Sequence, residues 1–320
     1  MDLSTVTLTQ LRYVVAVDRF RSFRLAAEHC HVSQPALSMQ LGKLEELLGL
    51  TVFDRSRQPV VPTERGGPVV AQARAILREM ERLAEVTREG GEVAGRYRLG
   101  VIPSLAPTLV PRFLPAFSAQ YPRVELVVEE VQTEAMIARL QEDSLDGGVA
   151  VTPLGVAGLH ERELFKEPLF AYLPPKHALA RRARLRQSDL ADEQLWLMSE
   201  GHCFRAQVLH LCRADRRAGA RGPRFESGSF ETLIRLVDAG QGVTVLPELV
   251  VRSLSVTQRR RQVRPFVAPV PVRQVSFIHV REHLHKSIAD ALVATLESSS
   301  RGLDAPPKGN VVIPPLDDHA

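Results

Sequence analysis

The hydrophobic periodicity of this 320-residue chain changes near residue 90, and this change most constrains how the chain can fold. Before it, apolar residues recur at helical spacing over long stretches. After Gly90-Gly91 and Gly95, which predict a hinge, short apolar strands alternate with helices. Such alternation is typical of a parallel sheet with crossover helices. We therefore expect a mainly helical N-terminal region followed by a larger α/β region.

The composition is that of an ordinary globular protein, with 44% hydrophobic and 24% charged residues. No apolar run reaches the ~18 residues of a membrane helix, and Met1–Thr5 lacks the basic and apolar parts of a signal peptide. We therefore expect a cytoplasmic protein with no membrane partner. The net charge of +4 comes from arginine clusters after residue 95, which are typical of a solvated surface. Any case for DNA binding must therefore come from a motif.

The N-terminal region predicts helices and a two-stranded wing. Helical spacing runs through residues 8–20, and a short helix follows through Leu25–Ala27. Thr51–Phe53 and Pro59–Val61 are predicted to be short strands, and the loop between them carries arginines that can reach DNA phosphates. By periodicity alone, a three-helix scaffold domain remains nearly as good an interpretation.

The helix between these elements has the character of a DNA-reading helix. Ser33 can cap it, and Pro35 suits its first turn because the missing N–H is harmless there. Its inward stripe consists of Leu37, Leu41, Leu44 and Leu48. Gln34, Ser38 and Gln40 are left outside, where short polar side chains can contact base edges.

In order and spacing, residues 8–66 resemble the winged helix-turn-helix of LysR-type transcriptional regulators. The matching residues are Ser22-Phe23, Ala26-Ala27, Val32-Ser33-Gln34-Pro35-Ala36-Leu37-Ser38, Leu44-Glu45, Leu48-Gly49, Phe53-Asp54-Arg55 and Pro62-Thr63. The resemblance implies binding to double-stranded promoter DNA. The implied DNA contacts are Gln34, Pro35 and Ser38 in the major groove, with Arg55 or Arg57 on the phosphate backbone, and Ser33 is a further implied DNA-binding residue.

A long helix is predicted from Thr63, as its cap, to Glu89, although Gly66-Gly67-Pro68 can bend or delay its first turn. Apolar residues recur along it at steps of four and three, which is the spacing of a coiled-coil seam. The seam consists of Val69, Ala73, Ile76, Met80 and Leu83. Self-association is favoured over a helix packed on its own domain, and the linker helices of the LysR family dimerise. We expect a homodimer or homotetramer, with RNA polymerase as a further candidate partner.

The second region predicts a two-lobed α/β effector domain that resembles the periplasmic-binding-protein-like domain of the same family. The predicted strands are 96–102, 124–130, 148–151, 169–173, 195–198, 224–226, 243–246 and 275–280, and the predicted helices are 109–120, 134–141, 203–212, 230–239 and 285–296. The expected domains are a winged helix-turn-helix (1–66), a linker helix and hinge (67–95), a regulatory domain (96–298) and a flexible tail (299–320). Lobe 1 comprises 96–166 and 272–298, and lobe 2 comprises 167–271.

The segment Gly201–Cys212 holds two of the three cysteines in the chain. In a helix, Cys203 and Cys212 lie about 13–14 Å apart, whereas a disulfide needs Cα atoms within about 7 Å. The helix must therefore unwind before they can bond. The plainest interpretation is that both cysteines are small hydrophobic residues in a core. However, a helix start at Cys203 and the nearby Arg205 favour a thiolate, whereas Cys212 has no such signal.

The same segment, with Ser227-Gly228-Ser229-Phe230-Glu231-Thr232-Leu233 and Cys30-His31-Val32-Ser33-Gln34-Pro35, resembles the OxyR-type hydrogen peroxide sensors of the LysR family across nearly the whole chain. The resemblance implies that Cys203 reacts with peroxide and Cys212 resolves the product as a disulfide. The implied peroxide-site residues are Ser104, Thr133, His202, Arg205 and Arg273. Ser104 replaces the family's usual threonine, and Ala206 replaces a residue that is often polar. Cys30 is interpreted as a structural thiol.

Two other classes of function stay open at this point. A LysR-type regulator could bind a small organic metabolite in the cleft near Ser104 and Thr133, because ligands lie beyond the carboxyl ends of parallel strands. A thiol peroxidase is disfavoured by the absence of a C-x-x-C motif and by the DNA-binding motif. We expect no enzymatic activity, no cofactor and no metal.

Overall fold

The computed structural model describes residues 5–86, 93–212, 225, 227–280, 285–300, 302–303 and 309–315, with the side chains at 78 and 81–86 left out of the description. The chain divides into two compact units, Met1–Gly91 and Glu92–Ala320. None of the described helices combines the length and the apolar character that a bilayer crossing requires. The predicted hinge at Gly90-Gly91 falls outside the described residues.

The first unit contains four helices and a two-stranded antiparallel wing within its described part. These elements are α1 (Leu8–Phe20), α2 (Phe23–His29), α3 (Gln34–Leu48), β1 (Phe53–Asp54), β2 (Val61–Pro62) and α4 (Gly66–Val86). Side-chain caps fix the starts of the first three helices, because Thr7, Ser22 and Ser33 each accept a hydrogen bond from a backbone N–H of the first turn. Gly49 ends α3 in the left-handed conformation.

The inward stripe predicted for α3 forms the centre of this unit. Leu37, Leu41 and Leu44 are at most 1% exposed and pack against apolar residues of α1 and α2. Burial of each such side chain contributes about 1.5–3 kcal/mol. The stripe therefore fixes which face of α3 remains at the surface.

The predicted dimer seam on α4 is only partly available. Ala73 is buried against the unit's own core, and Val69 packs at its margin, because α1 supplies the apolar partner that the sequence did not reveal. Ala73 as a member of an exposed seam was therefore wrong. Ile76 and Met80 remain 38% and 41% exposed, and the side chain of Leu83 falls outside the described residues.

The helix α4 also begins three residues later than its predicted start. The Thr63 hydroxyl accepts a hydrogen bond from the Gly66 N–H at 2.9 Å, so Thr63 does cap the segment. Gly66 has a steric role, because a Cβ at this position would lie 2.0 Å from the carbonyl oxygen of Val52. Gly66 thus permits a close approach of α4 to Val52, the residue before β1, whereas Gly67 has no such contact.

The second unit is built around one mixed sheet. Its strands are β3 (Gly95–Val101), β4 (Val124–Glu130), β5 (Gly147–Thr152), β6 (His160–Tyr172), β7 (Thr244–Pro247), β8 (Val263–Pro265), β9 (Val270–His279) and β10 (Asn310–Val312). Its helices are α5 (Ala106–Gln120), α6 (Thr133–Gln141), α7 (Cys203–Cys212), α8 (Phe230–Asp238), α9 (Glu248–Ser253), α10 (Val256–Gln262) and α11 (Lys286–Ser300). Short 3₁₀ helices cover Ala178–Arg181 and Gln187–Leu190.

The strand order is β4-β3-β5-β9-β6-β7, with β8 paired to β6 and β10 paired to β9. The predicted parallel pairing holds for β3 with β4 and β5. For the second set of strands it was wrong, because β6 pairs antiparallel with β7, β8 and β9. The long strands β6 and β9 run in opposite directions, although several helices and two short strands lie between them in the sequence. The predicted strand 224–226 lies largely outside the described residues.

The two cores correspond to two lobes. Lobe 1 is packed from β3, β5, α5, α6 and α11, and lobe 2 from the far end of β6 with β7, α7 and α8. Glu167 on β6 lies opposite Arg273 on β9, between the parts of these strands that serve the two lobes.

The C-terminal segment differs from the flexible tail predicted for 299–320. The helix α11 continues to Ser300, and Asn310–Val312 forms β10, which pairs in parallel with Val270–Val272 of β9. Ile313 follows and is 4% exposed in the core of lobe 2. The proline-rich composition suggested disorder, but the short apolar run Val311–Ile313 lies within it and adds a strand to an open edge.

Candidate functional site

The parallel pairing of β3 and β4 brings two hydroxyl side chains to the same edge of the sheet. Ser104 follows β3, and Thr133 follows β4 as the first residue of α6. Both are 3% exposed. The carboxyl ends of neighbouring parallel strands are where ligands bind in open α/β sheets. The predicted pairing of Ser104 and Thr133 at one edge is therefore what the topology produces.

The segment before α7 presses against this edge. Gly201 has φ +84°, and a Cβ there would lie 2.9 Å from Oε1 of Gln132, the residue before Thr133. The positive φ favours glycine here, whereas the flexible end of the Gln132 side chain could move away from a Cβ. This contact holds Cys203, the first residue of α7, next to Thr133.

The two cysteines of α7 are both buried free thiols, but they belong to different cores. Cys203 packs with the core of lobe 1, whereas Cys212 packs with the core of lobe 2. Nine residues of helix separate their Cα atoms by about 13–14 Å. A disulfide therefore cannot form until α7 unwinds.

The environment of the Cys203 thiol acts in two directions on its pKa. Burial is the strongest influence and raises the pKa above its ordinary value. The Thr133 hydroxyl, the Arg273 charge and the backbone N–H groups of Phe204 and Cys203 oppose it by favouring the thiolate. The net shift is upward, so the predicted thiolate preference is outweighed by burial in the reduced state. Cys212 has no comparable stabilising group, and burial alone raises its pKa to about 12.

Thr133 is placed to act on more than the thiol. Its hydroxyl oxygen is buried and makes no hydrogen bond of ordinary geometry within the described part of the chain. It still lies close enough to Cys203 to favour the thiolate. A buried hydroxyl without a regular partner costs free energy unless a ligand or water satisfies it. The Thr133 hydroxyl therefore retains hydrogen-bonding capacity beside the Cys203 sulfur.

Arg273 anchors the other side of the site and has no solvent exposure. Its Nε donates a hydrogen bond to Glu167 Oε1 at 2.6 Å, and its Nη1 donates to the Ser104 hydroxyl at 3.0 Å. Glu167 in turn accepts a hydrogen bond from the Leu249 N–H, at 2.9 Å. The guanidinium also lies 5.4 Å from the ring centroid of Phe204, the residue after Cys203. One buried charge network thus links Ser104 to the start of α7.

Glu167 was missed in the sequence, because nothing in its strand pattern distinguishes it from the exposed acids around it. The available signal was Arg273 itself, since a buried cation requires a carboxylate partner.

Arg205 points its guanidinium at a backbone carbonyl, whereas His202 directly precedes Cys203. Arg205 donates to the carbonyl oxygen of Met198 at 3.1 Å and is not among the groups that shift the pKa of Cys203. His202 is half-buried, and burial lowers its pKa while Glu130 acts in the opposite direction. Neutral His202 can donate or accept a hydrogen bond. Arg273, rather than Arg205, is therefore the cation that acts on the Cys203 sulfur.

The third cysteine lies apart from this chemistry, in the first unit. Cys30 ends α2 and packs at the margin of that unit's core, and burial raises its pKa against the opposing effect of Arg12. Among the described residues, no group of three or more His, Cys, Asp or Glu side chains is arranged to hold a metal ion.

The outer face of α3 carries the predicted DNA contacts. Ser33, Gln34 and Pro35 are exposed at its start, and Ser38 is half-buried one turn later. Nη1 of Arg55, from the wing, donates to the Ser38 hydroxyl at 3.1 Å, and Nη2 donates to Glu45 at 2.8 Å. The structure thus brings Arg55 directly onto α3.

Arg57 lies further out on the wing. Its side chain is 73% exposed and lies 3.5 Å from the Asp54 carboxylate. Arg55 and Arg57 both line an open cavity of about 540 Å³ beside the wing. Arg55 is therefore held by Ser38 and Glu45, whereas Arg57 is the more exposed of the two arginines.

Comparisons with known proteins agree with both units. Residues 8–67 match the family described as "Bacterial regulatory helix-turn-helix protein, lysR family", and residues 90–301 match "LysR substrate binding domain". The DNA-binding transcriptional dual regulator OxyR of Escherichia coli K12 is 35% identical over 279 residues, which cover 86% of this chain and 89% of that protein. A hydrogen peroxide-inducible genes activator of Pectobacterium carotovorum is 35% identical over 280 residues, 86% of this chain and 90% of that protein.

Solved structures give the same result. A full-length OxyR variant from Pseudomonas aeruginosa superposes with a TM-score of 0.76 at 33% identity, covering 91% of this chain and 94% of that one. A hydrogen peroxide-bound OxyR variant from Corynebacterium glutamicum superposes with a TM-score of 0.59 at 26% identity, covering 92% of each chain. A DNA-reading helix, a two-lobed α/β unit and relatives matched over most of their length lead to one conclusion. This chain belongs to the LysR family of DNA-binding transcriptional regulators, which are not enzymes, and within that family to the OxyR type.

Proposed function

We propose that this chain changes its DNA binding in response to hydrogen peroxide by forming a reversible Cys203–Cys212 disulfide, and so controls oxidative-stress genes. One observation carries the proposal. Cys203 begins α7 beside Thr133 and Arg273 in one core, while Cys212 ends the same helix in another core. The two thiols are held apart by a single helix, so oxidation and the fold of α7 are coupled.

The first chemical step takes place at Cys203. Its thiolate attacks one oxygen of hydrogen peroxide, the O–O bond breaks, and the sulfur becomes a sulfenic acid while the second oxygen leaves as hydroxide. Hydroxide then takes up a proton to give water. Thr133 is suited to hydrogen-bond the peroxide, and Ser104, which Arg273 holds at 3.0 Å, is suited to orient it. The half-buried His202 is a further candidate for this contact.

The second step joins the two cysteines. The Cys212 thiolate attacks the Cys203 sulfur, the S–S bond forms, and the S–O bond breaks with loss of hydroxide, which becomes water. A thiol reductant restores both cysteines. Because the Cys212 pKa is raised to about 12 while it is buried, this residue must leave the lobe 2 core before it reacts well. Unwinding of α7 therefore supplies both proximity and reactivity.

The charge state of the site supports a neutral ligand. Arg273 is already paired with Glu167, so the buried cation is neutralised within the protein. A metabolite carboxylate would bring an additional negative charge into this network, whereas hydrogen peroxide brings none. This balance favours peroxide over an organic acid as the effector.

The DNA contacts follow from the first unit. Gln34, Pro35 and Ser38 are proposed to face the major groove, with Ser33 at the helix start near a phosphate. Arg57 is the better candidate than Arg55 for a backbone phosphate, because Arg55 is engaged by Ser38 and Glu45. We further propose a cytoplasmic homodimer or homotetramer that associates through the exposed side of α4, including Ile76 and Met80. RNA polymerase is the proposed partner at the promoter.

The proposal is tested by DNA footprinting of purified protein with and without peroxide. Promoter fragments that bind the protein are first selected from a random duplex pool. Wild type should change its footprint when peroxide is added, and Cys203→Ser should not change. Cys30→Ser is the matched control, because Cys30 is a thiol outside the site, and it should respond like wild type. A Cys203→Ser protein that still changes its footprint would refute the redox mechanism.

A further inference from the structure

The C-terminal segment 309–315 docks onto lobe 2 through both strand pairing and side-chain burial. Asn310, Val311 and Val312 lie opposite Val270, Pro271 and Val272 in parallel register. Ile313 is 4% exposed and belongs to the same core as Cys212. Pro315 is also buried. The segment is therefore an integral part of the lobe that holds one end of α7.

The backbone of Ile313 bridges two elements of the site. Its N–H donates to the Val272 carbonyl at 2.9 Å, directly before Arg273 on β9. Its carbonyl oxygen accepts a hydrogen bond from Nε2 of Gln207 at 2.6 Å. Gln207 has no solvent exposure and lies on α7 between the two cysteines. The backbone of one residue thus ties α7 to the strand that carries Arg273.

The hydrogen bond to Ile313 is important for the buried Gln207 side chain, because its amide has few other hydrogen-bond partners. Its Oε1 is buried without a hydrogen-bond partner in the described part of the chain. The Nε2–Ile313 bond is thus the hydrogen bond that compensates for burying this amide. If α7 unwinds, Gln207 moves and the Ile313 carbonyl loses its donor. The docking of the segment is therefore energetically coupled to the helical state of α7.

We propose that residues 309–315 form a latch that stabilises the reduced, helical α7 and is released when Cys203 and Cys212 bond. This inference rests on the proposed disulfide and needs no additional oxidant. The latch opposes disulfide formation, because the Gln207–Ile313 bond must break before α7 can unwind and bring the two cysteines together. Its strength therefore affects the second step, in which Cys212 attacks the oxidised Cys203.

The docking is tested first in the reduced full-length protein by hydrogen exchange with mass spectrometry. Gln207→Met keeps the volume and removes the donor, so exchange in the peptide containing Ile313 should rise about fivefold. Gln274→Met is the matched control, because Gln274 also donates one hydrogen bond, at 3.0 Å to Thr152, but on the lobe 1 part of β9. It should leave exchange at Ile313 unchanged. Equal exchange in Gln207→Met and wild type would overturn the latch.

The redox dependence is tested by the same measurement before and after peroxide, with free thiols counted in parallel. Oxidised wild type should exchange at Ile313 at least about tenfold faster than reduced wild type. Cys212→Ser treated with peroxide should remain protected, because it cannot form the disulfide. A mapped disulfide with unchanged exchange would overturn the latch and leave the proposed function standing. Wild type whose thiols stay free after peroxide would overturn both, and the thiol count distinguishes the two failures.

Discussion

Arg273 and Glu167 form an ion pair with no solvent exposure on either side chain. Such a pair gives little net stability compared with apolar residues, but removing one partner leaves the other charge buried and unpaired. The pair instead fixes the position of Arg273, which donates a hydrogen bond to the Ser104 hydroxyl and whose charge favours the Cys203 thiolate. The pair therefore fixes the polar groups of the site.

Glu167→Gln should destabilise the folded protein by about 3 kcal/mol, because Arg273 loses its compensating charge. Urea unfolding of the reduced protein measures the change. Glu163→Gln is the matched control on the same strand, since Glu163 pairs with Lys166 at 3.4 Å but is 48% exposed. Its cost should stay below about 1 kcal/mol. Equal costs for the two variants would contradict the role assigned to the buried pair.

The raised pKa of Cys203 predicts how the reaction depends on pH. With the pKa above its ordinary value, the thiol form dominates at neutral pH, so the thiolate fraction rises about tenfold per pH unit below that pKa. The initial rate of Cys203 oxidation, followed in Cys212→Ser by trapping the sulfenic acid, should therefore increase about a hundredfold from pH 6 to pH 8. A rate that is flat over this range would show that the thiolate is already formed.

The helix α7 is the element on which the proposed mechanism depends. It starts in the core of lobe 1, ends in the core of lobe 2 and is tied at its middle to Ile313. Unwinding it displaces apolar side chains from both cores, including Phe204, which stacks edge-on against Phe230 with ring centroids 5.0 Å apart. Because packed cores shift between discrete arrangements, a local bond can reorganise a whole lobe.

The exposed part of α4 makes a separate prediction about assembly. Met80→Glu should shift the protein from dimer to monomer, because a carboxylate would be placed in an apolar contact between chains. Sedimentation velocity measures the shift. Val256→Glu is the control, since Val256 is 72% exposed on α10 of the other unit. Dimers that persist unchanged in Met80→Glu would exclude this face of α4 as the interface.

The sequence predicted those elements whose patterns are local. The stripe of α3, the cap at Ser33 and the helix Cys203–Cys212 all follow from spacing and capping chemistry within one segment. What it did not predict depends on partners far away in the chain. Ala73 is buried because α1 lies against it, Glu167 is buried because Arg273 needs it, and Asn310–Val312 is a strand because β9 has an open edge. Periodicity within one segment does not indicate which distant segment will pack against it.

At the scale of the whole molecule, the chain combines two units with distinct physical tasks. In the first unit, leucines of α3 are buried in the core, while the polar face of α3 and Arg57 of the wing are exposed. The second holds Cys203 in the core of one lobe and Cys212 in the core of the other. A disulfide between them therefore cannot form while both lobes keep their reduced arrangement. Regulation by peroxide then requires only that the second unit has two arrangements with different effects on DNA binding.

The most direct measurement is thiol titration of the purified full-length protein before and after mild peroxide, with the products mapped by mass spectrometry. Reduced protein should show three free thiols per chain, in accordance with its three cysteines. After peroxide, two thiols should disappear, and a single peptide pair should join Cys203 to Cys212 while Cys30 stays free. Recovery of both Cys203 and Cys212 as free thiols would contradict the disulfide mechanism.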